Sequence, residues 1–444
     1  MKNHKTYFMI GIGGIGMSAL AIHLVQNGAR VWGYDREESQ ITQKLSAMGV
    51  DILYDANMEA LPEEIKNKSV EVIYSAAISN EHPQWQFFAK QGNKMFKRAA
   101  FLGQLSNQNR SIAIGGTHGK TTTTALLAHI MFTDKRKFSA FVGGVMKQYD
   151  SNYITTGNDF IILEADEYDR SFLQLYPTIG AITAMDADHM EIYKSIEGMH
   201  EGYAAFAGQV QEKFVVAENL PLSGITYGFE PTADYSIKNI EQQEKGFFFD
   251  VVTPEHIEKG LFFNQLGRHN LKNALCALTL ARLEGVSFKV IRKALASFPG
   301  IDRRLNQYAL GDRILLDDYA HHPVELEALL ETVKSTFSDR KNCIVFQPHL
   351  FSRTRDFMMD FATVLSQFDQ IILLEIYPAR EQPIEGITAS TLLDHIANPQ
   401  KRICEKEALV NAIEASGASL VVVAGAGDIG LEVQKLTPEL NPIT

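Results

Sequence analysis

Cysteine is scarce. Its three residues, Cys276, Cys343 and Cys404, stand more than sixty positions apart, which leaves no C-x-x-C metal or redox pair and no basis for a disulfide scaffold. That usage suits a reducing compartment, the cytoplasm. Clean apolar runs of about 18 residues are missing, which excludes a membrane-spanning helix. The nearest approach, Phe8–Ile22 behind Lys2 and Lys5, carries Gly11, Gly13, Gly14 and Gly16. So much glycine unfits it for the apolar core of a signal peptide, and it reads as strand, glycine turn and helix. Internal repeats and low-complexity tracts are absent. Positive charge is in deficit: 42 Lys and Arg against 53 Asp and Glu give a net charge of −11. This balance argues against a nucleic-acid partner. It still permits small anions, held by backbone N–H groups and a few placed cations.

What is present describes a globular chain. Hydrophobic residues make up 45% and charged residues 21%, both ordinary. A length of 444 residues suggests roughly three domains. The pattern agrees, because an α/β alternation starts three times. Tyr7–Ile12, Arg30–Tyr34, Val70–Ser75 and Lys94–Arg98 read as strands between helical stretches. Ser111–Ile114 begins a second series, with Phe160–Leu163, Ile179–Thr183, Phe214–Ala217 and a β-rich section at Phe247–Val252. Arg313–Leu316, Asn342–Phe346, Gln370–Leu374 and Ser419–Val423 form a third. Strands alternating with helices predict parallel sheets. The expected boundaries give domains at 1–108, 109–301 and 302–444.

Three constellations carry chemistry. Gly11-Ile-Gly13-Gly14-Ile15-Gly16 is G-x-G-x-x-G between strand and helix, with Asp35 ending the next strand. Such glycines admit a diphosphate to a helix N-terminus, and the acidic residue takes a ribose hydroxyl; the nucleotide stays open. A second copy, Gly425–Gly430, reads as a structural or substrate-facing turn. The stronger signal is Gly115-Gly116-Thr117-His118-Gly119-Lys120-Thr121-Thr122, one residue shorter than the usual phosphate loop. There backbone N–H groups cradle phosphate, Lys120 brings charge to the β/γ phosphates and Thr121 binds Mg2+. Downstream, Glu164-Ala-Asp166-Glu167-Tyr-Asp169 and Asp186-Ala-Asp188-His189 end two strands. If those strands are adjacent and parallel, both clusters reach one sheet edge as metal ligands. In the third segment Asp317-Asp318-Tyr319-Ala320-His321-His322 and Gln347-Pro-His349-Leu350-Phe-Ser352-Arg353 follow strands. Zinc is one reading of the histidines, but recognition of carboxylate or phosphate suits Arg353 better.

Taken in order, Gly116–Thr122, Glu164, Asp188-His189, Gly267-Arg268-His269-Asn270 with Asn273, Arg303-Arg304 and Asp318–Pro323 resemble the Mur ligases of peptidoglycan synthesis over essentially the whole chain. The resemblance implies a three-domain α/β enzyme: an N-terminal Rossmann-like domain, a central P-loop ATPase-like domain with a mostly parallel sheet, and a C-terminal Rossmann-like domain. It implies an ATP-dependent ligase that joins L-alanine to the carboxylate of UDP-N-acetylmuramate through an acyl phosphate. The alternative is a related ligase that takes another amino acid or a tripeptide. By the same resemblance, Gly13, Gly14, Ile15, Gly16, Asp35, Ser75 and Ala76 bind the UDP-sugar. Gly116, Thr117, His118, Gly119, Lys120, Thr121, Thr122, Asn270, Asn273 and Arg304 bind ATP. Thr121, Glu164 and His189 hold Mg2+ or Mn2+; Lys120, Glu164, His189, Arg304 and Asp318 are catalytic. Tyr319, His321, His349 and Arg353 line the amino-acid pocket, and the C-terminal domain closes over the site. The expected assembly is a monomer or homodimer. Three positions depart from the family pattern: Ala184 in place of asparagine, Leu350 in place of arginine and Arg380 in place of glycine. A rival reading, an NAD-dependent oxidoreductase, accounts for Gly11–Gly16 and leaves Gly116–Thr122 without a role. A second rival is a non-catalytic nucleotide-binding module.

Overall fold

The computed structural model describes residues 5–67, 70–188, 190–379 and 381–436. By contact the chain packs as two compact units. One comprises Met1–Ile240, Phe248–Phe262 and Lys272–Pro299; the other comprises Glu241–Phe247, Phe263–Leu271 and Gly300–Thr444. Three separate sheets run through them. Among the described residues no helix is long and apolar enough to cross a membrane.

The first sheet contains β1 (Thr6–Ile10), β2 (Arg30–Tyr34), β3 (Asp51–Leu53), β4 (Glu71–Tyr74) and β5 (Met95–Lys97), in the order β3-β2-β1-β4-β5. All pairings are parallel. Phe8, Met9 and Ile10 are fully buried, because a parallel sheet covered on both faces wants continuous apolar strands. The strand order reverses between β1 and β4, so the crevice that takes a ligand lies past their carboxyl ends. The glycine turn leaves β1 there, and helix Ile15–Gln26 follows it.

The second sheet begins with β6 (Ser111–Gly115), β7 (Phe138–Met146), β8 (Ser151–Thr155), β9 (Phe160–Ala165) and β10 (Ile179–Ile182). It continues through β11 (Lys213–Ala217), β12 (Ile225–Gly228), β13 (Tyr235–Gln243), β14 (Gly246–Val252) and β15 (Ile257–Phe263). From one edge the order is β8-β7-β9-β6-β10-β11-β12-β13-β14-β15. One expectation needs correction. The strands that deliver the two acidic clusters are not adjacent, since β6 lies between β9 and β10 and pairs parallel with each. The consequence is favourable: the phosphate loop leaves the sheet between the two clusters, all three at one carboxyl edge. Helix Lys120–Thr133 follows, with every residue from Thr122 to Met131 buried. The antiparallel hairpin β7–β8 was not anticipated. Its strands are broken by Gly143, Gly144 and the turn before Asp150, which blurs their alternation.

The third sheet has β16 (Asn306–Leu310), β17 (Arg313–Asp318), β18 (Asn342–Phe346), β19 (Gln370–Leu373), β20 (Lys401–Ile403) and β21 (Leu420–Ala424). The order is β16-β17-β21-β18-β19-β20, parallel except for β16. Two apolar clusters cover its faces, one around Leu316, Phe346 and Val422 and the other around Leu315, Val345 and Val421. The loops after β17, β18 and β21 all leave the same edge.

Candidate active site

The phosphate loop is shaped by glycine and held from β10. Gly116 has φ +129° and Gly119 φ +84°, and a methyl group would overlap Thr183 Oγ1 at the first and Asn273 Oδ1 at the second. Thr183 donates its hydroxyl to the carbonyls of Gly115 (3.1 Å) and His118 (2.5 Å). Thr117 N donates to Ala184 O at 3.1 Å, and Asp186 N donates to Thr117 Oγ1 at 3.0 Å. Position 184 therefore serves the loop through its backbone, a bond that alanine makes as well as asparagine would. His118 Nε2 lies 3.7 Å from Asp186 Oδ2.

Lys120 opens the helix and turns back over the loop. Its Nζ donates to Gly116 O at 2.5 Å and pairs with Glu167 at 2.8 Å. Burial, the largest single influence on this amine, disfavours the ammonium; Glu167, Asp166 and Glu164 outweigh it and raise the pKa above the ordinary lysine value. Glu167 is only 3% exposed, and its carbonyl accepts from Tyr193 Oη at 2.7 Å. Thr121 Oγ1 donates to Glu164 Oε2 at 3.1 Å, while Gly143 N donates to the other carboxylate oxygen at 2.5 Å. A hydroxyl and a carboxylate side by side are hard oxygen donors. Mg2+ suits such a set, because it binds through one or two carboxylates and keeps water and phosphate oxygens for its other positions. Among the described residues no group of three or more His, Cys, Asp or Glu could hold a metal. His189 lies outside the described residues. Asn273 faces Gly119, whereas the Asn270 amide donates to Leu266 O at 2.9 Å.

The first glycine loop is organised by the acid expected to take a ribose. Asp35 Oδ2 accepts from Gly13 N at 2.7 Å and Oδ1 from Arg36 N at 2.8 Å. Ser75 faces Gly11 across the β1–β4 crevice, where a methyl group would sit 3.2 Å from Ser75 Cβ. Ser75 O closes a turn over exposed Ala76 by accepting from Ile78 N. Gly14 caps the helix that Ile15 and Gly16 begin.

In the other unit, the loops after β17 and β18 bring together residues expected to line the amino-acid pocket. The ring of His321 lies 5.3 Å from that of Tyr319 and 5.9 Å from that of His349. Arg353 Nη1 stands 3.4 Å from His349 Nδ1, and His321 is anchored by Glu325 at 3.2 Å. Arg304 lies over the Tyr319 ring at 5.1 Å. Asp318 is committed to backbone, accepting from Leu305 N and Ala320 N at 2.8 Å each. Leu350 holds φ +71° with its side chain buried, so this position adds no cation to the pocket. Arg380 lies outside the described residues. The second glycine motif is filled by its own chain. Arg303 donates to the carbonyls of Gly425 (2.6 Å) and Gly427 (3.3 Å), and a methyl at Gly427 would meet Tyr377 within 2.8 Å. These contacts fit the structural reading of the turn.

Sequence reading did not single out Glu167, Gly143 or Arg98. Glu167 was one of four carboxylates in a run, and only the turn after β9 selects it as the partner of Lys120.

A phosphate loop between two acidic clusters, a glycine loop on a second sheet and an arginine–histidine–tyrosine cluster on a third are the parts of a multidomain α/β enzyme of nucleotide-dependent chemistry. Three family models match the chain in order. They are the Mur ligase family catalytic domain at residues 6–110, the Mur ligase middle domain at 114–281 and the Mur ligase glutamate ligase domain at 303–427. The UDP-N-acetylmuramate–L-alanine ligase of Flavobacterium johnsoniae is 43% identical over 440 residues, 98% of each chain. The crystal structure of the UDP-N-acetylmuramate–alanine ligase of Thermotoga maritima is similar with a TM-score of 0.84 and 25% identity, covering 98% of this chain and 99% of that one. A murein peptide ligase of Psychrobacter arcticus shares the fold with a TM-score of 0.71 at 20% identity, over 98% of each chain. The chain belongs to the Mur ligase family.

Proposed function

We propose that this chain joins L-alanine to the carboxylate of UDP-N-acetylmuramate, with ATP cleaved to ADP and phosphate, in the assembly of peptidoglycan precursors. The observation that carries the reading is Lys120 and Thr121, on one helix N-terminus, meeting Glu164 on the neighbouring strand and Glu167 in the turn that follows it. That arrangement suits transfer of a γ-phosphoryl group, where the protein supplies position and charge. We assign the UDP-sugar to residues 1–108, ATP to 109–301 and the amino acid to 302–444.

A carboxylate does not form an amide in water, because its oxygen is a poor leaving group. In the first step a carboxylate oxygen of the sugar attacks the γ-phosphorus and the bond to the β-phosphate oxygen breaks, giving an acyl phosphate and ADP. In the second, the neutral alanine amine attacks the acyl carbon. The carbon–oxygen bond breaks, phosphate leaves and the amine loses its proton. Lys120 neutralises charge on the β/γ phosphates, and Gly116–Thr122 hold them by backbone N–H. Thr121, Glu164 and His189 are the residues that would hold Mg2+, which supplies further neutralisation of phosphate charge when bound. Arg353 takes the carboxylate of alanine, and His321 or His349 accepts the amine proton. The buried, free thiols of Cys276, Cys343 and Cys404 suit the reducing cytoplasm.

Phosphate release from UDP-N-acetylmuramate and MgATP across a panel of amino acids, with the product weighed by mass spectrometry, tests the reading. Release with L-alanine and a product heavier by one alanyl residue are expected. Release with a tripeptide and none with alanine, serine or glycine would overturn it in favour of the related ligase.

A further inference from the structure

The described contacts of the first glycine loop include one cation. Arg98 opens helix Arg98–Gln108 just past the end of β5, at the carboxyl edge from which Gly11–Gly16 also leave. A methyl group placed on Gly16 would come within 3.0 Å of Arg98 Nη1 and 3.2 Å of its Cζ, so the guanidinium lies directly on the glycine. Its Nη2 donates to Asp166 Oδ2 at 3.2 Å, and the side chain is 27% exposed. A guanidinium has five N–H donors in a planar fork that matches phosphate oxygens, and the bond to Asp166 uses one of them.

The loop's own electrostatics favour such a group. A diphosphate is a dianion, and bare glycine N–H groups answer it with dipoles alone. Here Gly13 N–H is already given to Asp35, whose carboxylate adds a negative charge to the loop wall. A chain with net charge −11 offers no broad basic field to offset this. We infer that Arg98 is a substrate-binding residue that holds the diphosphate of the UDP-sugar with its remaining donors while Nη2 stays tied to Asp166. This rests on the assignment of Gly13–Gly16 to that diphosphate.

The test is calorimetric titration of the full-length chain with UDP-N-acetylmuramate and, separately, with ATP, each variant being checked by thermal melting. Losing charged hydrogen bonds to the diphosphate should make Arg98→Ala bind the UDP-sugar about 10- to 100-fold more weakly, with ATP affinity within about twofold. Arg98→Lys, which keeps the charge and loses the fork, should fall between Arg98→Ala and the parent, and carries the comparison if Arg98→Ala does not fold. Asp166→Asn removes the tie and leaves the guanidinium in place, so it should bind the UDP-sugar no more weakly than the parent. Gly13→Ala, whose methyl would meet Asp35 and Thr42 at 2.9 Å, should lose the UDP-sugar if the loop is its site. Parent-like binding by both Arg98 variants alongside loss in Gly13→Ala overturns the role of Arg98 and leaves the loop assignment standing. Equal losses in Arg98→Ala and Asp166→Asn also overturn it, since the arginine then acts only as a tie. Parent-like binding by Gly13→Ala, or no binding by the parent, removes the loop assignment and the inference together.

Discussion

Lys120 and Glu167 show how one pair links stability to chemistry. Both are withdrawn from water, with side chains 16% and 4% exposed. Removing one member of a buried ion pair costs about 3–5 kcal/mol because the other is left uncompensated. Lys120→Ala and Glu167→Gln should each destabilise the chain on that scale in urea unfolding. The double variant Lys120→Met with Glu167→Gln should return to within about 1 kcal/mol of the parent, since no charge is stranded. Phosphate release should separate the two roles. Any chain without Lys120 should lose about 100- to 1,000-fold in turnover, the usual effect of removing an electrostatic stabiliser of the transition state, and the double variant should stay inactive. A Lys120→Ala chain as active as the parent would overturn the assignment. The lysine was legible in the sequence because glycine, lysine and threonine in a strand–helix setting have few other uses. Glu167 was not, because four neighbouring carboxylates look alike until a turn orients one of them. Asp35 and Asp318 were expected as site residues; their hydrogen bonds go to backbone, and a sequence does not record which donors a carboxylate has already accepted.

Helix Lys120–Thr133 carries the loop's cation and hydroxyl at one end and a buried histidine near the other. His129 is 4% exposed, and its ring nitrogens meet Tyr149 Oη at 3.0 Å and Ser297 Oγ at 3.1 Å. Burial lowers its pKa to about 4, against about 6.5 in an unfolded chain. The folded state therefore resists protonation that the unfolded state accepts. The stability linked to His129 is intact above about pH 6.5 and is lost as pH falls towards about 4, for a total of about 3 kcal/mol. His129→Gln keeps a donor and an acceptor but does not titrate. Urea unfolding at pH 7 and pH 4.5 should show a smaller acid loss in this variant than in the parent; equal losses would mean that His129 is not the group responsible. Gly119, which caps the same helix, leaves no room for a side chain. Gly119→Ala should raise the KM for ATP at least about tenfold, because it needs a strained φ and displaces Asn273; an unchanged KM would show that the loop adapts. Helices and inner strands of this sheet were legible because burial makes them continuously apolar. The β7–β8 hairpin was not, since its turn and glycines break the two-residue period.

At the scale of the molecule, three sheets were foreseen from length and three α/β starts, but the bonds that join the first two were not, because they pair residues between 68 and 137 positions apart. Asn152, on β8, is 4% exposed and donates to Ile15 O and, at 3.1 Å, to buried Ser18 Oγ on the first helix. Tyr153 Oη meets His23 Nδ1 at 2.7 Å and Ser139 Oγ at 2.9 Å. Lys44 pairs with Asp150 and Lys97 with Asp169. One apolar cluster runs from Tyr7, Met9 and Leu20 through Phe101 to Phe141, Leu163 and Tyr203. A core shared in this way makes the two sheets unfold together rather than in turn. The two tryptophans, Trp32 and Trp85, both lie among residues 1–108, so tryptophan fluorescence reports on the first sheet and its helices. Asn152→Ala alters only the second sheet's side of the contact. It removes two hydrogen bonds to the first helix, at a cost of about 1 kcal/mol each. If folding is coupled, this variant should lower the urea midpoint seen by tryptophan fluorescence as much as that seen by circular dichroism of the same unit. If the first sheet folds alone, the fluorescence midpoint should not move, and the glycine loop would then owe nothing of its geometry to the second sheet.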